Sequence, residues 1–263
     1  MYLYPRICTD CYQGFGMVVT DEVHRFSAPL WSKAIARFGA AYRLGLTATP
    51  ERSDGLQSVF LNAIGPIAYE IKGNLLQPSV YFRKTRATYL PNSFRQYDGQ
   101  PSTAKLINLI AGDDDRNTRI VDSVETSIRA RRTPLVLVDR RSQAATLQHI
   151  LSGRLPDSKV CLYLGGMKKS DREFAEKEAD CIIGTYSMAQ EGLDIPRLDT
   201  LFLASPKTNV AQAIGRILRP SPGKKDPFVI DFVDEDVFIL RNYYKKRLRY
   251  YEAEGWTVYG KLV

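Results

Sequence analysis

Several short runs in this chain are apolar almost throughout and lack the polar–apolar alternation of a half-exposed strand. They are residues 16–20 (GMVVT), 42–47 (YRLGLT), 134–138 (PLVLV), 160–164 (VCLYL), 180–184 (DCIIG), 200–203 (TLFL) and 227–231 (PFVID). A strand covered on both faces reads this way, as in parallel sheets with helices on either side. Helix-like segments lie between the runs. Residues 116–131 space Ile120, Val124 and Ile128 four apart, and 142–151, 169–178 and 210–218 are further candidates. Strand alternating with helix predicts an α/β fold with crossover connections.

The pattern breaks across 73–99, where Pro78, Pro91 and scattered polar residues surround one possible strand at 79–85. A domain boundary is expected near residue 90. It leaves a short domain at 1–90 with two or three strands, a full α/β domain at 91–234, and a distinct segment at 235–263. In that last segment Val237, Leu240, Tyr244, Leu248 and Tyr251 fall at helical spacing. Arg241, Lys245 and Arg249 share another face, either the solvated side of a docked helix or a nucleic-acid contact.

Composition narrows the classes. With 44% hydrophobic and 25% charged residues the chain is globular, not disordered. No apolar run nears the ~18 residues that cross a bilayer, and the N-terminus lacks a signal-peptide pattern, so no membrane partner is expected. Against 29 acidic side chains stand 37 basic ones, a net charge of +8, which weakly favours a polyanionic partner. Cys161 and Cys181 lie in apolar runs and read as reduced core residues of an intracellular protein. Cys8 and Cys11 form a lone C-x-x-C. A zinc site would need two more ligands, and His24 and His149 are the only histidines.

Four segments carry chemistry. Asp21-Glu22-Val23-His24 follows a buried run, where α/β sheets place their sites. One of the adjacent acids can hold Mg²⁺ through water and the other can polarise an attacking water. Taken alone, the pair could equally be two solvated loop acids. Residues 44–50 (LGLTATP) end another run, where hydroxyls can relay hydrogen bonds or simply close a proline turn. Residues 184–196 (GTYSMAQEGLDIP) open a turn whose amides and Thr185 hydroxyl can meet a phosphate. Gln212, Arg216 and Arg219, at i, i+4 and i+7, are expected on one helix face, and such an arginine pair can stabilise a γ-phosphate.

In this order and at these spacings, the segments resemble the superfamily 2 helicases and translocases. DEVH looks like motif II, TATP like motif III, VLVDRR at 136–141 like motif IV, GTYSMAQEGLDIP like motif V and QAIGRILRP like motif VI. HRFSAPLW, GLTATPERSDGL, YLGGMKK and MAQEGLDIP are most similar to the XPB/UvsW-type DNA helicases of phages and large DNA viruses, so a virus-encoded chain is expected. The resemblance implies a RecA-like P-loop NTPase architecture with ATP and Mg²⁺ as cofactors and DNA, with RNA possible, as partner. Asp21 would hold Mg²⁺, Glu22 would orient the hydrolytic water, and His24 and Gln212 would couple the nucleotide site across a cleft. Thr47 and Thr49 would transmit nucleotide state. Arg216 and Arg219 would be arginine fingers, with Gly192 and Asp194 lining the nucleotide side. Thr185, Gly165, Gly166 and Lys168 would follow the nucleic-acid phosphates. Arg52 and Asp54 match the family pattern after motif III.

One element of the family pattern is missing. A motor of this class needs a Walker A loop, G-x-x-x-x-G-K-S/T, ahead of motif II, and the residues before Asp21 supply none. Residues 255–261 (GWTVYGK) match in part, but Leu262 replaces Ser/Thr and the bulky residues would crowd a phosphate, so a short strand is expected there. The expectation is one complete RecA-like domain plus the C-terminal half of another, with an N-terminal half-domain on another polypeptide as one possible complement. A non-catalytic nucleic-acid-binding or regulatory module is the competing function. A nuclease built on Asp21 and Glu22 is disfavoured for want of further clustered acids.

Overall fold

A computed structural model describes residues 12–24, 35, 37–47, 55–70, 76–85, 89, 91–96, 99–190 and 193–261. The chain divides into two compact units, Met1–Gly73 and Asn74–Val263.

The second unit is built on a seven-stranded, wholly parallel sheet. Its strands are β3 (Ser79–Lys84), β4 (Pro134–Val138), β5 (Val160–Tyr163), β6 (Cys181–Thr185), β7 (Thr200–Leu203), β8 (Phe228–Val233) and β9 (Thr257–Tyr259), in spatial order β5-β6-β4-β7-β8-β3-β9. The unalternating runs earn their places. Every residue of β4, β6 and β7 is buried, because these central strands have helices on both faces. Successive side chains serve opposite layers. Leu135 and Leu137 pack with Ile182, Leu201 and Val229, while Val136 and Val138 pack with Ile183, Phe202 and Phe232.

On the second of these faces lie α3 (Asp114–Arg129), through Ile120, Val121 and Val124, and α4 (Arg141–Arg154), through Ala144, Leu147 and Leu151. The first face is covered by α5 (Lys169–Glu178), α6 (Tyr186–Gln190), α7 (Ala211–Gly215) and α8 (Phe238–Ala253). A smaller cluster joins Leu106, Ile107 and Ile110 of α2 (Thr103–Ala111) to Phe94, Val237 and Leu240. The start of α3 is fixed by Asp113, whose side chain accepts from the Arg116 amide at 2.8 Å, so the helix begins two residues earlier than its apolar spacing indicated.

The first unit contains β1 (Met17–Thr20) and β2 (Tyr42–Gly45), paired in parallel, and α1 (Gln57–Ile64). Val23, Ile35 and Phe60 are buried. A side chain at Gly45 would press on Ile64 and Val23 at 3.2–3.3 Å, so those side chains would have to give way to admit one. Met17, Val19, Tyr42 and Leu44, cross-strand neighbours in register, are 42–72% exposed.

The boundary differs from the expected position near residue 90. It falls at 73/74 because the strand at 79–84 hydrogen-bonds to β8 and β9 and so belongs to the second sheet. The terminal GWTVYGK forms β9: Tyr259 stacks on Tyr81, Trp256 packs on Tyr250 and Tyr251, and a side chain at Gly260 would meet the Phe82 carbonyl at 3.0 Å. It is sheet, not a phosphate cradle. Cys8 and Cys11 lie outside the described residues. Among the described residues no helix is long and apolar enough to cross a membrane.

Candidate functional site

The expected site residues fall into one set in each unit. In the first unit, Asp21 and Glu22 form the turn that leaves β1. Two backbone hydrogen bonds staple it to the end of β2: Leu46 N–H to Thr20 C=O at 2.8 Å, and Val23 N–H to Leu46 C=O at 2.9 Å. Asp21 is exposed, and its Oδ1 accepts from the Glu22 amide at 2.8 Å. Glu22 has φ +51°, left-handed backbone that costs a side-chain-bearing residue about 1–2 kcal/mol. The turn therefore holds Glu22 against its own preference.

His24 Nδ1 lies 2.9 Å from Thr47 Oγ1 and 3.3 Å from Glu22 Oε2. That second contact is close without hydrogen-bond geometry. Glu22 Oε2 is enclosed and accepts no hydrogen bond among the described residues. An orphaned carboxylate oxygen of this kind is completed by a donor such as a water molecule. No group of three or more His, Cys, Asp or Glu gathers to hold a metal among the described residues. The exposed Asp21 carboxylate is a donor of the kind Mg²⁺ uses, since that ion is bound through one or two carboxylates plus water and phosphate oxygens rather than a protein cage.

In the second unit, Thr185 ends β6, and its hydroxyl lies 3.0 Å from that of Ser187. Gly165 and Gly166 turn the chain between β5 and α5. Gly166 takes φ +80°, which glycine adopts without strain, and the exposed Lys168 is the N-cap residue of α5. Arg216 directs its Nε to the Ala189 carbonyl of α6 at 2.8 Å. Arg219 is ion-paired with Asp194, and both are exposed. Gln212 is half-buried on α7. The single helix face expected for Gln212, Arg216 and Arg219 is not formed. Regular α-helix ends at Gly215, and 216–218 continue in tighter turns, with amides bonding three residues back, so Arg219 lies past the helix.

On α8, Arg241, Lys245 and Arg249 are exposed while Leu240, Tyr244, Arg247 and Tyr251 are buried, the expected division of faces with one exception, Arg247. Thr49, Arg52, Asp54 and Gly192 lie outside the described residues.

Sequence reasoning did not single out Arg116, Asp231, Asp234 or Arg247, all at most 2% exposed. The available signal was the pair of acids in FVIDFVD, an apolar run that has no room for an unpaired charge. Burial also raises the phenol pKa of Tyr186, in motif V, well above its usual range, so it stays a hydrogen-bond donor. A groove of about 490 Å³ between α3 and the sheet, lined by Tyr81, Arg83, Phe202, Phe228 and Ile230, contains none of the motif residues.

Comparison with known proteins supports the resemblance to helicases. Residues 9–52 match the family "Type III restriction enzyme, res subunit", and residues 116–221 match "Helicase conserved C-terminal domain". A protein named as an ATP-dependent RNA helicase, L396 of Acanthamoeba polyphaga mimivirus, is 30% identical over 256 residues, 95% of this chain and 49% of the relative. A protein named as a helicase, D10 of Escherichia phage T5, is 26% identical over 256 residues, 92% of this chain and 54% of the relative. The chain thus spans about half the length of these relatives. The crystal structure of T4 UvsW shares the fold, with a TM-score of 0.56 at 20% identity over 98% of this chain and 56% of UvsW. The chain belongs to the superfamily 2 helicases, in the branch met in phages and large DNA viruses.

Proposed function

We propose that this chain is the C-terminal portion of an ATP-dependent DNA helicase or translocase, with RNA as a possible alternative track. The observation that carries the reading is the turn at the end of β1. It holds an exposed Asp21, a strained Glu22 with an orphaned carboxylate oxygen, and His24 tied to Thr47, in a chain whose second unit matches the helicase C-terminal domain.

In this reading ATP with Mg²⁺ supplies the energy of the cycle through cleavage of its terminal phosphate. Asp21 offers the metal-facing carboxylate. Glu22 accepts a hydrogen bond from the attacking water, and its left-handed backbone aims the carboxylate before substrate arrives. His24, through Thr47, reports the state of that carboxylate to motif III, of which Thr49 is the other hydroxyl. Arg216 and Arg219 form the cationic edge that stabilises charge developing on the phosphoryl group, Gln212 serves with His24 in coupling nucleotide state, and Gly192 and Asp194 line the nucleotide side. The Arg219–Asp194 pair also implies that Arg219 must exchange a carboxylate for a phosphate to act as a finger. Thr185, Gly165, Gly166 and Lys168 contact the nucleic-acid backbone at the C-terminal ends of β5 and β6, and Arg241, Lys245 and Arg249 offer a second, basic surface along α8. The proposed domain division is a partial RecA-like unit carrying motifs II and III, a complete one carrying IV to VI, and the segment at 235–263.

Holding the β- and γ-phosphates is the task of a Walker A loop, and these 263 residues contain none. By itself the chain is therefore expected to turn over ATP negligibly, with or without single-stranded DNA. The second reading is a nucleic-acid-binding module that needs a separate Walker A-bearing polypeptide. It is favoured by the exposed apolar face of β1 and β2. Steady-state ATPase assays on the chain and on Glu22→Gln separate the outcomes. No difference between them is expected, and DNA-stimulated turnover that disappears in Glu22→Gln would overturn the expected need for an added phosphate loop.

A further inference from the structure

The loop at 204–210 connects β7 to α7, the helix that carries Gln212. Its first residues are gripped from both faces of the sheet. From α3, the buried Arg116 forms a two-point ion pair with Asp234, at 2.9 and 3.2 Å, and aims its remaining nitrogen at the Ala204 carbonyl, 2.6 Å away. From α8, on the opposite face, the buried Arg247 forms a two-point pair with Asp231, at 2.7 and 2.8 Å, and aims its remaining nitrogen at the Lys207 carbonyl at 2.7 Å. Between them the Tyr186 hydroxyl donates to the Ser205 carbonyl at 2.7 Å. The Ser205 hydroxyl donates to Gln143 at 2.8 Å and accepts from the Asp139 amide at 2.9 Å. Pro206 fixes the backbone between these anchors.

Two buried arginine–carboxylate pairs need a reason other than stability. Desolvating both charges costs about what their attraction returns, and apolar residues of similar volume commonly serve as well. What an apolar residue cannot supply is a guanidinium's third donor, which here points to the same short loop from each side. Burial by itself would drive Arg247 toward its neutral form. The Asp231 carboxylate outweighs that and raises its pKa, so the donors persist at any working pH.

We infer that Arg116 and Arg247 are positioning residues that lock the loop at 204–210 and thereby set the placement of the motif VI segment bearing Gln212 and Arg216. The functional weight of this clamp rests on the roles proposed above for those two side chains. The conformational claim stands apart from them.

Hydrogen exchange read by mass spectrometry on the whole chain tests it without ATP or nucleic acid, so failure of the clamp and failure of the helicase reading are told apart. The segment to follow is 211–218, where the amides of Ile214, Arg216, Ile217 and Leu218 are hydrogen-bonded within the segment or to the loop. Two variants are used: the apolar replacement of the whole pair, Arg247→Met with Asp231→Leu, and the charge-conserving Arg247→Lys, which cannot reach Asp231 and the Lys207 carbonyl together. In both, exchange across 211–218 is expected to rise about tenfold or more, the loss of one charged hydrogen bond, while β4 and β6 keep their protection. Unchanged exchange across 211–218 overturns the inference. So does an equal rise throughout the second unit, or failure of both variants to fold, since Arg247 would then serve stability alone.

Discussion

The two units use the same local grammar, parallel strands followed by turns that carry acids, hydroxyls or glycines, yet they differ in how their sheets are covered. In the second unit β4, β6 and β7 are buried along their whole length between two helical layers. In the first, Met17, Val19, Tyr42 and Leu44 of a two-stranded sheet face solvent at 42–72% exposure. Among the described residues that face has no covering layer, and exposed sheet area yields little hydrophobic stabilisation. The second unit therefore has the makings of an autonomous domain, whereas the described strands of the first, which lead into the turn at Asp21 and Glu22, leave apolar area in solvent.

The strongest way to break this comparison is excision. Residues 74–263 expressed alone are expected to melt cooperatively by circular dichroism, and residues 1–73 to show no cooperative transition. A sharp melt from the short piece would show that its exposed strand face is no liability. Single truncations should show the same contrast. Phe202→Ala, in a fully buried strand, is expected to cost about 3–5 kcal/mol in denaturant unfolding. Val19→Ala, at 55% exposure, should stay within about 0.5 kcal/mol. Equal losses would put the two sheets in like environments. A subtler test concerns the strained turn. Glu22→Gly removes the side chain that resists φ +51° and is expected to leave stability unchanged or raise it by up to about 1 kcal/mol. A loss beyond 1 kcal/mol would mean that Glu22 holds the turn together instead of being held by it.

Much of the second unit was legible because its strands are buried on both faces, and unbroken apolar runs report that directly. The division of α8 into Leu240, Tyr244 and Tyr251 against Arg241, Lys245 and Arg249 followed from helical spacing alone. Other features depend on partners distant in the chain. The strand at 79–84 has a modest pattern, and its pairing with β8 and β9, 149 or more residues later, moved the domain boundary. The arginines of motif VI have helical spacing, yet regular helix stops at Gly215, and Arg219 finds Asp194 instead. Arg247 illustrates the limit well. Its neighbours Lys245 and Arg249 are exposed, and nothing local distinguishes it. Only the fold brings Asp231 beneath it.

The proposed function requires that the second unit grip a nucleic-acid backbone. The direct measurement is binding of the 263-residue chain to a short single-stranded DNA across a salt series, compared with Lys168→Glu and Arg241→Glu. Log affinity is expected to fall linearly with log salt. Each variant should weaken binding on every sequence tried and reduce the slope by about 0.7, one phosphate contact on a single strand. Absence of salt-dependent binding, or binding indifferent to both substitutions, would contradict it.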